Sequence, residues 1–168
     1  HGGTEMGQGL YVKVAQVVAD VFGIELDRVR ITATSTGKVP NTSPTAASSG
    51  ADLNGMAAKI AADTIKSRML AQAAKILGVP KSRITFSLGK VSAGKKSINF
   101  PELAKACHAQ RVSLSSTGYY ATPKLTWDRA KAKGRPFLYF ANGAACDEVT
   151  IDTFTGEVKV NRVDILDD

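Results

Sequence analysis

The sequence predicts an α+β fold, in which two main helices pack on one face of a mixed, mostly antiparallel sheet. Two stretches have helical periodicity, and several shorter runs have the β-branched and aromatic composition of strands. These helices and strands do not alternate regularly, as they would in a doubly wound parallel sheet. The 168 residues are enough for one hydrophobic core, so we expect a single domain over residues 1–168.

The first helix is predicted over residues 9–22. Leu10, Val14 and Val21 recur at the spacing that places apolar side chains on one helical face. Gly23 follows directly and is typical of a left-handed cap at the C-terminus of a helix. We therefore expect this helix to bury its aliphatic face against the rest of the domain.

The second and longest helix is predicted over residues 48–77, where Gly78 and Pro80 end the apolar stripe. Gly55 lies inside it and costs about 1 kcal/mol relative to alanine. That cost indicates close packing, or close approach of a ligand, near the start of the helix. A short third helix is predicted over residues 101–110.

Strands are predicted in the short runs that are richest in β-branched and aromatic residues, namely residues 29–34, 83–87, 97–100, 112–122, 137–150 and 157–164. The last two should form a hairpin, because the turn sequence TFTG at residues 153–156 joins them. Residues 89–96 are predicted to be a polar turn, and residues 125–135 a basic loop.

Composition narrows the class of protein. Lys and Arg outnumber Asp and Glu by 22 to 15, and part of this charge surrounds Trp127. A basic run beside an aromatic residue could contact phosphates, but it is more often a solvated face, so we expect no nucleic-acid partner. No apolar run approaches the roughly 20 residues that span a membrane. Cys107 and Cys146 lack ligand spacing, which predicts buried thiols in a reducing, cytoplasmic compartment.

Two short segments are the candidate binding elements: residues 1–9, here called the glycine segment, and residues 42–50, the hydroxyl segment. Each runs directly into a predicted helix. The N-terminus of a helix offers unpaired backbone N–H groups and the positive end of the helix dipole. Two such helix ends could hold the two ends of one phosphorylated ligand.

The glycine segment does not fit GxGxxG after a strand, nor GxxxxGK followed by Ser or Thr. An ordinary helix entry, with Gly7 and Gly9 serving turn geometry, therefore stays open beside ligand binding. Gln8 favours binding, because its amide is both donor and acceptor and gains nothing from packing between two glycines. Glu5 is explained equally well by capping of the helix and by a catalytic role.

The hydroxyl segment has more hydroxyl groups than capping of a helix requires. One N-cap suffices, whereas five are present, at Thr42, Ser43, Thr45, Ser48 and Ser49. The surplus indicates a surface that another molecule approaches closely. Elsewhere, His108 is expected on a helix surface, and no Ser–His–Asp order or metal-ligand cluster is found.

These segments resemble a known family. Residues 1–10, HGGTEMGQGL, and residues 39–48, VPNTSPTAAS, are similar to signatures in the molybdenum-cofactor-binding portion of the xanthine dehydrogenase family. Residues 112–120, 122–124 and 137–164 also agree with that family. The matches follow in order over nearly the whole chain, which identifies it as part of a longer polypeptide of this family.

The resemblance implies a molybdenum hydroxylase that oxidises hypoxanthine to xanthine and xanthine to urate in purine catabolism, with water supplying the oxygen. Its cofactor would be molybdopterin carrying molybdenum. Electrons would leave through 2Fe–2S clusters and FAD, on other domains or on a partner subunit, to NAD. The parent complex is expected to be oligomeric and cytoplasmic, and the chain alone inactive.

The resemblance also assigns residues. Gln8 would hydrogen-bond a cofactor oxygen near the molybdenum without being a metal ligand, and Ala46 and Ala47 would line the substrate position. The implied cofactor-binding residues are Gly7, Gln8, Gly9, Thr45, Ser48 and Gly50. At position 50 the family often has serine, so here only a backbone N–H would remain.

No catalytic residue is assigned. The family's glutamate base and its purine-orienting arginine lie outside this sequence. Two alternatives therefore stay open: a related molybdenum hydroxylase acting on aldehydes or other N-heterocycles, and a non-enzymatic phosphate- or nucleic-acid-binding module.

Overall fold

The computed structural model describes residues 1–32, 34–39 and 42–167. Within them the chain forms three α-helices and three small antiparallel sheets, which confirms the α+β class. The chain divides into two compact units, His1–Ala121 and Thr122–Asp168. The single domain over residues 1–168 stays a prediction.

The two main helices lie in the first unit and pack against each other. Helix α1 is Leu10–Phe22 and helix α2 is Gly50–Leu77, each close to its predicted limits. Gly55 is buried in α2, and a Cβ built on it would lie 3.6 Å from Val17 Cγ2 in α1. The predicted reason for this glycine, close packing near the start of the helix, is thereby confirmed.

The first sheet has the order β1-β2-β3, with strands Thr85–Ser87, Lys90–Ala93 and Lys96–Asn99. Helix α3, Phe100–Ala109, follows it directly. The polar turn predicted at residues 89–96 was wrong, because it contains β2. Only Val91 of that strand is fully buried, and so the strand carries little apolar signal.

The core of the first unit lies where α1, α2, α3 and this sheet meet. Its buried members are Val21, Phe22, Ala62, Met69, Ala73, Leu77, Ile84, Val91, Leu103 and Cys107. Burial raises the pKa of the Cys107 thiol. Cys107 is thus the buried thiol that the sequence predicts, whereas Cys146 is exposed and that part of the prediction was wrong.

Two predicted strands are not formed. Residues 29–32 and 34 have no strand partner among the described residues, and position 33 lies outside them. Residues 112–122 are also unpaired; they are held to α2 by Arg68, whose Nη1 donates to the Ser115 carbonyl oxygen at 2.9 Å. Both runs have the composition of strands. In the described chain, however, residues 112–122 lie beside a helix, and residues 29–32 and 34 lie beside no strand.

The second unit is built from two hairpins. Strands β4, Thr126–Asp128, and β5, Lys133–Arg135, replace the basic loop predicted there, which was therefore wrong. Strands β6, Gly143–Ile151, and β7, Val158–Asp167, confirm the predicted hairpin. From residue 139 to 167 every described residue is exposed. None of the helices described in either unit is long and apolar enough to cross a membrane.

Candidate functional site

The structure brings the glycine segment and the hydroxyl segment side by side. The backbone N–H of Thr4 donates a hydrogen bond of 2.8 Å to Thr45 Oγ1. A second link runs through Asn54 of α2, whose Oδ1 accepts from the Gly3 N–H at 3.0 Å and whose Nδ2 donates to the Gly50 carbonyl at 2.8 Å. The two segments are thus neighbours, as a ligand shared by both would require.

Glycine at positions 2 and 3 allows this close contact. A Cβ built on Gly2 would lie 2.2 Å from Thr42 Oγ1, and one built on Gly3 would lie 2.5 Å from Leu10 Cδ2. Both distances are far below van der Waals contact. Gly2 therefore serves packing between the two segments, and Gly3 serves packing against the first residue of α1.

The N-terminal end of α1 is occupied by a carboxylate from the chain itself. Glu5 Oε1 accepts hydrogen bonds from the N–H groups of Gly7 at 2.9 Å and Gly9 at 3.0 Å, and Oε2 accepts from Tyr11 at 2.9 Å. These bonds, that from Tyr11 first, hold the pKa of Glu5 below its usual value. Capping by Glu5 is thereby observed, and the expectation that these amides are unpaired was wrong.

Gln8 bonds back onto the same loop. Its Oε1 accepts from the Met6 N–H at 2.6 Å, and its Nε2 donates to the Thr4 carbonyl at 2.9 Å. Gly7 and Gly9 have φ values of +100° and +76°, with no atom within 4 Å of an added Cβ. Glycine is needed here for the left-handed backbone, and the exposed Gln8 amide keeps a further N–H and an oxygen lone pair for a ligand.

In the described part of the chain, no side-chain hydrogen bond caps the start of α2. Its N-cap residue, Ser49, makes no capping hydrogen bond; its Oγ instead donates to the Ala46 carbonyl at 3.4 Å. A hydroxyl residue of this segment is thus the N-cap residue, as the sequence allowed, but its side chain makes no capping hydrogen bond. Thr45 and Gly50 are half-buried, and Ser48 is exposed, so this helix end faces outward with hydroxyl groups around it.

Ala47 has an unusual backbone conformation at this helix entry. Its φ is +56°, in the left-handed region that alanine rarely adopts. Ala46 and Ala47 are both exposed. A strained exposed turn next to an uncapped helix is more typical of a ligand contact than of packing.

A cleft of about 510 Å³ opens between the two segments. Its walls carry both hydroxyl groups and apolar surface, from Gly2, Thr4, Tyr11, Thr34, Ser35, Thr36, Val39, Thr42, Ser43, Pro44 and Thr45. The Tyr11 hydroxyl lies 3.1 Å from Thr34 Oγ1. Of the predicted site residues only Thr45 lines this cleft; Gly7, Gln8, Gly9, Ala46, Ala47, Ser48 and Gly50 do not.

Sequence reasoning missed Asn54 and Tyr11. Asparagine inside a helix is unfavourable because its side chain competes for the backbone, and Asn54 does bond the carbonyl four residues before it. An asparagine at an unfavourable helical position could therefore have marked Asn54 as a site residue. No comparable signal marked Tyr11, whose contacts depend on the distant Thr34. Among the described residues no group of three or more His, Cys, Asp or Glu could hold a metal.

A cleft that presents hydroxyl groups, a helix N-terminus without a side-chain cap and the remaining N–H of Gln8 suit a polar, anionic organic ligand. The sequence profile of the molybdopterin cofactor-binding domain family matches residues 1–168. The chain belongs to this family.

Xanthine dehydrogenase of Oryza sativa subsp. japonica is 45% identical over 168 residues, which cover all of this chain and 11% of that protein. Xanthine dehydrogenase/oxidase of Gallus gallus is 40% identical over the same length, again 11% of that protein. The chain thus spans about a ninth of the length of these curated relatives.

Two solved structures are similar to this chain over nearly its whole length. Quinoline 2-oxidoreductase from Pseudomonas putida 86 matches 98% of this chain and 21% of its own, with a TM-score of 0.78 and 25% identity. The Cu,Mo-CO dehydrogenase matches 99% of this chain and 20% of its own, with a TM-score of 0.76 and 25% identity.

Proposed function

We propose that this chain is the cofactor-holding part of a xanthine dehydrogenase, which oxidises hypoxanthine and xanthine to urate. The observation that carries the proposal is the identity of 40% and 45% to xanthine dehydrogenases over the whole chain. The rest of the parent would contribute the 2Fe–2S clusters, FAD and the NAD site. An oligomeric, cytoplasmic complex is part of the proposal; the two free thiols support the reducing compartment.

The residues present fit a pterin cofactor with an anionic phosphate end. The start of α2 has no side-chain cap and carries the positive end of the helix dipole. Thr45 and Ser48 would donate hydroxyl groups to the phosphate, and Gly50 its backbone N–H. When bound, the molybdenum centre would supply the redox and oxygen-transfer chemistry.

The glycine segment would orient the other end of the cofactor. The Gln8 amide is fixed by two hydrogen bonds to its own loop, and its remaining N–H would reach a cofactor oxygen, with Gly7 and Gly9 leaving open space on either side. Ala46 and Ala47, small and exposed, would form the wall against which the substrate lies. No proton transfer is assigned to this chain.

Thr45 gives the sharpest test. Thr45→Val keeps the shape of the side chain but removes the acceptor of the Thr4 N–H and the hydroxyl offered to the cofactor. In the full-length parent we expect retention of molybdenum and pterin to fall by about tenfold, the effect of one lost hydrogen bond of roughly 1.4 kcal/mol. Metal and pterin are measured per chain after gel filtration, together with urate formation from xanthine.

The matched control is Thr153→Val, which makes the same change at an exposed threonine of the β6–β7 turn and should retain the cofactor. A wild-type parent that contains neither molybdenum nor pterin would contradict the proposal. A parent that holds both, but oxidises aldehydes or another N-heterocycle in preference to xanthine, would leave the cofactor role standing and replace the substrate.

A further inference from the structure

Glu5 has no role in the function proposed above, although it makes more hydrogen bonds than any other side chain of the glycine segment. Its two oxygens accept from three backbone N–H groups, those of Gly7, Gly9 and Tyr11. These three groups span the turn that carries Gln8 and the first residues of α1. The carboxylate thus stands where an external anion would bind at a helix N-terminus.

The hydrogen bonds of Glu5 and Gln8 form one continuous chain to the second segment. Glu5 closes the loop from Gly7 to Tyr11, and Gln8, held inside that loop, bonds the backbone of Met6 and Thr4. The Thr4 N–H then bonds Thr45 Oγ1 at 2.8 Å. A displacement of the loop would therefore move Gln8 and the Thr4–Thr45 contact together.

We propose that Glu5 is a positioning residue: its carboxylate fixes the loop that aims the Gln8 amide and keeps it in register with Thr45. The inference rests on the proposed function. It adds that the N-termini of α1 and α2 have different roles. Helix α1 is closed by the chain's own negative charge, so the phosphate end of the ligand belongs at the uncapped start of α2.

The left-handed glycines explain why the loop needs such support. Gly7 and Gly9 both have positive φ, and no neighbouring atom lies within 4 Å of an added Cβ. Glycine is therefore required at these two positions by the backbone conformation and not by lack of space. Since glycine has the largest conformational freedom of any residue, the hydrogen bonds that Gly7 and Gly9 donate to Glu5 stabilise this conformation directly.

Glu5→Gln removes the charge and places an NH₂ group where one of the two acceptor oxygens stood. Expressed in the full-length parent, this variant should show amide hydrogen exchange over residues 6–11 faster by about tenfold, measured by mass spectrometry. Pterin retention should fall with it. Glu25→Gln is the control, because it makes the same change at an exposed carboxylate that borders a short helix; it should change neither quantity.

A double-mutant cycle separates positioning from a merely structural effect. If Glu5 acts through Gln8, the double variant E5Q/Q8A should retain as much pterin as Gln8→Ala alone. Losses that multiply in the double variant would overturn the inference, because Glu5 would then act independently of Gln8. Unchanged exchange at residues 6–11 in Glu5→Gln would overturn it as well.

Should Glu5→Gln fail to fold, Glu5→Asp keeps the charge with a shorter reach. Faster exchange over residues 6–11 together with lower pterin retention supports the inference; faster exchange with full retention overturns it. The proposed function fails separately, through a wild-type parent without molybdenum or pterin. The two failures are therefore distinguishable in the same set of preparations.

Discussion

At the scale of single residues, the site combines hydrogen-bonded side chains with one strained backbone conformation. Glu5 and Gln8 are both hydrogen-bonded to their own loop, whereas Ala47 has a φ of +56°, in the left-handed region. Left-handed alanine costs roughly 1–2 kcal/mol. The hydroxyl segment therefore stores strain where the ligand is proposed to bind.

Ala47→Gly tests this strain. Glycine removes the cost of the left-handed conformation but adds about 0.5–1 kcal/mol of conformational entropy in the unfolded chain. We expect a net gain in the free energy of unfolding of about 0.5 kcal/mol, measured by urea-induced unfolding. Ala46→Gly, at the neighbouring position without a positive φ, should instead lose stability; a loss of the same size at both positions would contradict the assignment of strain.

At the scale of elements, the helices could be predicted and several strands could not. Helix α1 has an apolar face that repeats with the helical period, and glycine ends both α1 and α2, so the sequence alone located them. Strand β2 was missed because only Val91 is buried in it. Residues 112–122 were misassigned because their partner is a helix, a long-range contact that local composition does not encode.

The candidate site, too, could be predicted from the sequence only in part. The shared chemistry of the two segments indicated one ligand for both, whereas Thr45 was singled out among the hydroxyl residues only by the family resemblance. Capping of α1 by Glu5 was left open, because it depends on the left-handed backbone at Gly7 and Gly9. A φ value of this kind is suggested by glycine but not determined by it.

The contact between residues 112–122 and α2 makes a prediction of its own. A Cβ built on Gly118 would lie 2.0 Å from the Ala57 carbonyl oxygen, which is backbone and cannot move aside cheaply. Gly118→Ala should therefore lower the free energy of unfolding by about 3 kcal/mol. Gly37→Ala is the control, because nothing lies within 4 Å of the added Cβ.

Urea-induced unfolding of the two glycine variants decides the point. A Gly118→Ala protein as stable as Gly37→Ala would show that residues 112–122 do not lie against α2 in solution. That result would also contradict the role of Arg68, which holds this segment to α2 by its hydrogen bond to the Ser115 carbonyl.

At the scale of the whole molecule, the two units differ in how much apolar surface they bury. The first unit has a core with fully buried members such as Met69 and Leu103. In the second unit β6 and β7 pair Val149 with Val160 and Ile151 with Val158, yet these side chains are exposed. An isolated two-stranded ribbon is marginally stable in water, so this surface is suited to contact with other protein.

Produced alone, residues 1–168 should self-associate through this exposed aliphatic surface. Val160→Lys places a charge among the paired valines and should shift sedimentation velocity profiles toward the monomer. Thr153→Lys adds the same charge at the turn and should leave association unchanged. Equal effects of the two lysines would show that net charge, rather than the aliphatic surface, governs association.

The hydrogen bond between Thr4 and Thr45 is asymmetric in what each partner supplies. Thr4 contributes only its main-chain N–H, which every amino acid except proline possesses. Thr45 contributes a hydroxyl, which only a few side chains of that length can replace. The two positions should therefore tolerate substitution differently. Position 4 can vary widely while the hydrogen bond persists, whereas position 45 must keep a hydroxyl group.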